Sequence, residues 1–194
     1  MLKYIIHMSN KKMNMNGSND PSYRYTMPTF NVTNAGNGNG KFTMLNNIDQ
    51  ISKSINHPVP VLCKYIASIT GSSYIESRKQ FTGSHSSSDL NKLIIQYIKY
   101  MVLCPKCGIP ETVPKVFGTK KNAGINLSCS ACKNESPIIT NNKFAEKGSD
   151  IIVKYLNAGH IWEISSGSIV NNDCNLQSNN FLEESVEEVN IDDI

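Results

Sequence analysis

The residues with the clearest chemical potential are four cysteines in two pairs, Cys104-Pro105-Lys106-Cys107 and Cys129-Ser130-Ala131-Cys132, with 21 residues between the pairs. A Cys-x-x-Cys turn lets two sulfurs converge at about 2.3 Å on one tetrahedral ion, and two such turns on separate hairpins supply the four thiolates of a zinc ribbon. The interval slightly exceeds the usual ~15–20 residues, so a longer hairpin is expected between the pairs. Gly108 and Lys133 follow the second cysteine of each pair, where a tight turn points backbone N–H groups at sulfur. Four cysteine ligands fill the coordination sphere and leave no position for a substrate, so a structural Zn2+ is expected rather than a catalytic one. Disulfides would require an oxidising compartment, and the apolar run in Met1-Leu2-Lys3-Tyr4-Ile5-Ile6-His7-Met8 is too short for a secretory signal. Of the other cysteines, Cys63 reads as a buried small hydrophobe and Cys174 as an inert thiol. His7 and His160 have no partner legible in the sequence.

The second candidate is Arg24, set between Tyr23 and Tyr25. By residue type alone, such an arginine is a cation–π or solvent contact.

These side chains need a scaffold, and the patterning describes an α+β one. Ile48, Ile51 and Ile55 share a helical face after Asn47, and Leu62, Tyr65, Ile66 and Ile69 share another after Pro58 and Pro60, ending at Gly71. Tyr74 to Thr82 alternates as a strand. A third helix follows with Leu90, Leu93, Ile94, Tyr97 and Met101 as its apolar stripe and Ser88-Asp89 as its cap. A fourth amphipathic stretch runs from Phe144 to Leu156. Residues 34–40, Asn-Ala-Gly-Asn-Gly-Asn-Gly, read as a flexible exposed loop. The expected division is a disordered tail (1–20), a small α/β domain carrying the arginine segment (21–100), a four-cysteine zinc ribbon (101–138), a C-terminal helix (139–160) and an Asn-rich, acidic tail (161–194).

The 194 residues allow one ordinary domain with a small satellite or tail, which excludes a large multidomain enzyme. No stretch has the 18 or more apolar residues of a membrane span. Uncharged polar residues are abundant, with 24 Asn. The net charge of +3 conceals a division: residues 1–140 hold 16 Lys/Arg against 6 Asp/Glu, and residues 141–194 hold 3 against 10. The basic part is compatible with RNA or phosphate contact, although scattered Lys is more commonly a solvated surface, and Phe181 to Ile194 suits an interaction or solubilising tail.

Taken in order, Tyr23-Arg24-Tyr25-Thr26-Met27-Pro28, Gly38-Asn39-Gly40, Asn56-His57-Pro58 with Lys64-Tyr65, Gly83-Ser84-His85 and Val102-Leu103-Cys104-Pro105-Lys106-Cys107-Gly108-Ile109-Pro110-Glu111-Thr112 resemble the N-terminal region of eukaryotic translation initiation factor 5 over about residues 21–138. The beta subunit of initiation factor 2 shares the α/β-plus-ribbon architecture but is not expected to carry the Tyr-Arg-Tyr-x-Met-Pro start. The resemblance implies a GTPase-activating protein, not itself an enzyme, that acts on initiation factor 2 (gamma and beta subunits) with initiator tRNA on the small ribosomal subunit. GTP is then bound by the partner. Arg24 matches the family's essential arginine, a group that stabilises charge on the transferring phosphate. Lys64 matches another basic residue tied to activation. Lys41 stands one place early relative to the family's basic residue after Gly-Asn-Gly, which implies weaker activation. Gly38, Asn39, Gly40 and Lys41, with Arg78 and Lys79 on a basic strand beside them, are implied to approach initiator tRNA. The family continues into a C-terminal helical-repeat domain that the 56 residues after position 138 cannot form. A short, Asn-rich version points to a divergent organism or a large DNA virus that borrows host translation, and to the cytoplasm, the host's if viral. Two other functions stay open: a non-activating binding module at the decoding site, and a beta-subunit-like structural component of initiation factor 2.

Overall fold

A computed structural model describes residues 11–118 and 122–162. His7, Cys174 and the acidic tail lie outside the described residues. Nine strands and four α-helices form among them, in an α+β arrangement with three antiparallel sheets.

The first sheet pairs β1 (Lys12–Asn14) with β2 (Thr26–Pro28). This differs from the expectation of disorder up to residue 20. The physical reason lies in Met13 and Met15, which alternate with polar neighbours: Met15 is buried and Met13 packs at the core edge. Two residues of apolar alternation in an Asn-rich stretch are a weak signal until a partner strand exists. Residues 1–10 lie outside the described residues.

The second sheet has the order β3 (Val32–Ala35), β4 (Phe42–Leu45), β6 (Gln80–Thr82), β5 (Tyr74–Ile75). The strand expected over residues 74–82 is thus a hairpin, broken by a 3-10 turn at Glu76–Arg78 and by Lys79 in the left-handed conformation (φ 50°). Between β3 and β4 the chain makes another 3-10 turn at Gly38–Gly40, so the loop expected there has a defined turn. Gly36 closes it: with φ 83°, an added Cβ would lie 2.2 Å from the Gly40 carbonyl oxygen.

Helices α1 (Ile48–Ile55), α2 (Val59–Thr70) and α3 (Ser87–Met101) bury the stripes read from the sequence, with Ile69 at the edge. The α3 cap is Ser86, whose Oγ accepts the Asp89 N–H at 3.1 Å, two residues before the expected Ser88. Helix α4 (Lys143–Asn157) is capped by Asn142, whose Oδ1 accepts the Phe144 and Ala145 N–H groups at 3.0 Å each. It packs on α2 and α3 and also touches the third sheet, β7 (Thr112–Phe117), β8 (Gly124–Cys129) and β9 (Glu135–Pro137). Ile125 and Leu127 on β8 consequently join one core with Leu62, Ile94, Tyr97 and Ile152.

The chain continues past α4 far enough to bury Trp162. Its indole N–H donates to the Asn56 carbonyl at 3.2 Å, and its ring lies 4.7 Å from His57, edge to face. Trp162 therefore belongs to the packed body and not to the tail expected over residues 161–194. His57 is itself buried, with Nδ1 2.7 Å from the Tyr97 hydroxyl. Burial pushes its pKa down to about 3. His160 stacks on Tyr155 at 4.6 Å.

Candidate metal centre and arginine segment

The two cysteine turns are built alike. At the first, the Gly108 N–H donates to the Cys104 carbonyl (2.8 Å) and the Cys104 N–H to the Ile109 carbonyl (3.0 Å), with Gly108 at φ 69°. At the second, the Cys129 N–H donates to the Asn134 carbonyl (2.9 Å) and Lys133 takes the left-handed conformation, φ 57°. The antiparallel pairing of Thr112 with Cys129 brings the turns together. All four Sγ atoms lie within 4.8 Å of one another, and Cys104–Cys132 and Cys107–Cys129 are each 3.7 Å apart. A disulfide would need about 2.05 Å, whereas a tetrahedral ion with ~2.3 Å bonds has edges of about 3.8 Å. The site fits a four-thiolate ion.

Its electrostatics agree. Burial raises the Cys104 thiol, but N–H groups of Cys107 and Lys106 and the neighbouring thiols outweigh it and bring it down to about 7. At Cys107 the Ile109 N–H lowers the pKa, while burial and three neighbouring thiols carry it up to about 12. Further thiolates are thus resisted by those already present, and a dication removes that repulsion.

Arg24 sits just before β2, in a segment whose exposure alternates: Tyr23, Tyr25 and Met27 turn inward and Arg24 and Thr26 outward. Met27 is fully buried, and the two tyrosine rings meet edge to face at 6.0 Å. Arg24 therefore points to solvent from an ordered support. Among the described residues it makes no ion pair, and its guanidinium carbon lies 5.9 Å from the Tyr25 ring centre. The Tyr25 hydroxyl donates to Glu111 Oε1 at 2.8 Å, tying this segment to the ribbon. That bond keeps the Tyr25 phenol above its ordinary pKa. Sequence reasoning did not find this pair, because 86 residues separate its members.

Lys64 is exposed on α2, and no described interaction joins it to Arg24. Gly38, Asn39, Gly40 and Lys41 are all exposed at the β3–β4 tip. Arg78 and Lys79 do not stand on a strand beside that tip. The register pairs Phe42 with Thr82 and Met44 with Gln80, which puts the 76–79 turn at the other end of β4. Lys79 there bonds Asp49 at 3.5 Å, an exposed pair.

This site and scaffold define a class: an α+β domain fused to a four-cysteine ribbon, with an outward arginine held beside the ribbon. A family model described as a domain found in initiation factors 2B and 5 matches residues 15–135, and the chain belongs to this family. It is 34% identical to eukaryotic translation initiation factor 5 of Drosophila melanogaster over 136 residues, 68% of this chain and 29% of that protein. The corresponding factor of Saccharomyces cerevisiae is 32% identical over 132 residues, 66% of this chain and 32% of that protein. A probable factor 5 of Arabidopsis thaliana is 34% identical over 130 residues, covering 64% and 29%. The chain thus spans about a third or less of the length of these relatives. Among the described residues, no helix is long and apolar enough to cross a membrane.

Proposed function

We propose that this chain is a cytoplasmic translation initiation factor that stimulates GTP hydrolysis by initiation factor 2 and thereby supports start-codon selection. It acts on the gamma subunit, next to the beta subunit, while initiator tRNA occupies the small ribosomal subunit. The observation that carries this reading is Arg24: an exposed guanidinium without an ion-pair partner among the described residues, on an ordered support, within the region matched by the family. Phosphoryl transfer spreads negative charge over the γ-phosphate oxygens, and a planar guanidinium supplied in trans stabilises it through two parallel hydrogen bonds. GTP and its pocket belong to the partner, so the chain is an activator and not an enzyme in its own right. Lys64 adds positive charge toward the same partner.

The ion in the ribbon is zinc, held by Cys104, Cys107, Cys129 and Cys132, and its role is structural. The tip formed by Gly38, Asn39, Gly40 and Lys41 approaches initiator tRNA, where a loop with little side chain exposes backbone N–H groups to phosphate. Arg78 and Lys79, at the far end of β4, meet nucleic acid at a separate point. The test is phosphate release from GTP-loaded initiation factor 2 and initiator tRNA on small subunits. Acceleration by the full chain supports the activating role; tight binding without acceleration supports the non-activating module.

A further inference from the structure

Arg24 has no direct bond to the rest of the domain among the described residues, so its aim is set by its neighbours. Tyr25 does two things at once: its ring lies under the Arg24 guanidinium, and its hydroxyl reaches across to Glu111. Among the described residues, this is the one hydrogen bond between the arginine segment and the ribbon. Glu111 is itself fixed from the metal side. Its carbonyl accepts the N–H of Ser130 at 2.8 Å, inside the second cysteine turn, and the next residue, Thr112, is buried with its hydroxyl on the Val102 carbonyl at 2.7 Å. On the same inward face of the segment as Tyr25, Tyr23 is half-buried and Met27 fully so. One turn of the ribbon therefore holds the ring on which the arginine rests.

We propose that Tyr25 and Glu111 form a clamp through which the metal-bound ribbon positions Arg24, with Glu111 acting as a positioning residue that touches neither nucleotide nor metal. This inference rests on the reading of Arg24 as the activating group. It assigns the ribbon a task besides stability: the second cysteine turn orders Glu111, Glu111 orders Tyr25, and the arginine is presented outward with its orientation already restricted. A finger positioned before contact loses less conformational freedom when it engages the phosphate.

The test uses the zinc-loaded full chain with Tyr25→Phe, Glu111→Ala, Glu111→Gln and the Tyr25→Phe/Glu111→Ala double variant. Two quantities are read: the maximal single-turnover rate of GTP hydrolysis at saturating factor, and the heteronuclear NOE of the Arg24 amide and Nε–H in the isolated protein. Losing one hydrogen bond of this kind predicts a fall of about twofold to tenfold in maximal rate. The half-saturating concentration and zinc content should stay unchanged. Glu111→Gln, whose amide oxygen still accepts the phenol, should recover most of the rate. The double variant should be no worse than the worse single one, because both remove the same bond. The NOE should drop in Tyr25→Phe and Glu111→Ala and recover in Glu111→Gln. An unchanged NOE in Tyr25→Phe overturns the clamp, as do losses that multiply in the double variant. If Arg24→Ala hydrolyses GTP as fast as wild type, the activating reading fails, and the NOE alone still decides whether the clamp exists.

Discussion

Stripping the ion from the four-cysteine cluster is expected to unfold the ribbon and weaken the whole domain, and the structure sets the size of both effects. Dividing the 3.7 Å Sγ–Sγ edges by the tetrahedral ratio of about 1.63 gives a metal–sulfur distance of about 2.3 Å, the length of a zinc–thiolate bond. The other four Sγ–Sγ separations are all within 4.8 Å, so one ion can reach every sulfur. Without the ion the third sheet is left with short strands and no link through sulfur between its two cysteine turns. Ile125 and Leu127, each 1% exposed, would then leave the core they share with the helices. Each such side chain contributes roughly 1.5–3 kcal/mol, so the remainder of the domain loses roughly 3–6 kcal/mol. That is a large part of a typical stability of ~5–15 kcal/mol. At about 2–4 °C per kcal/mol, the melting temperature should fall by roughly 6–24 °C. Zinc-edge X-ray absorption should report four sulfurs at about 2.3 Å, and calorimetry with and without chelator should show the drop. Absence of stoichiometric metal, fewer than four sulfur ligands, or an unchanged melting temperature after complete removal would refute the reasoning.

Three other outcomes follow from the geometry. His57 resists protonation in the fold, with its pKa held at about 3 by burial, so it contributes stability that is complete above the unfolded value of 6.5 and is lost as pH falls toward 3; urea titrations should show about 1.4 kcal/mol of loss per pH unit in that window, absent in His57→Asn. Gly36→Ala should disrupt the β3–β4 tip, since its Cβ would overlap the Gly40 carbonyl, whereas Gly38→Ala, with nothing within 4 Å but φ 55°, should cost only about 1–2 kcal/mol; amide chemical shifts of the tip and thermal melts distinguish the two. Trp162→Ala should cost about 3–5 kcal/mol in thermal melts by emptying a buried site against His57 and Asn56, and normal stability would mean that the strap after α4 is dispensable.

The helices and the four-cysteine cluster were legible because their signals are local. Stripes such as Leu90, Leu93, Ile94, Tyr97 and Met101 repeat within one element, and each Cys-x-x-Cys turn carries its own geometry. The Tyr-Arg-Tyr-x-Met-Pro start was legible through family resemblance. What stayed hidden depends on distant partners. The strand at Lys12–Asn14 exists because Thr26–Pro28 lies beside it, and Trp162 is buried because Asn56 and His57 receive it. The bond from Tyr25 to Glu111 spans most of the domain in sequence. The single strand expected at 74–82 failed for a local reason: left-handed Lys79 and the 3-10 turn before it reverse the chain without a glycine to announce it.

The central claim, that Arg24 supplies the activating charge, is tested most directly by single-turnover GTP hydrolysis on tRNA-loaded small subunits with wild type, Arg24→Ala and Arg24→Lys. An arginine finger contributes roughly 10³–10⁵ in rate, about 4–7 kcal/mol of transition-state stabilisation. Arg24→Ala should therefore lose nearly all stimulation while keeping its zinc, melting temperature and ribosome binding. Arg24→Lys should be nearly as defective, because an ammonium lacks the planar fork. Equal rates for wild type and Arg24→Ala, both well above the rate without factor, would contradict the account.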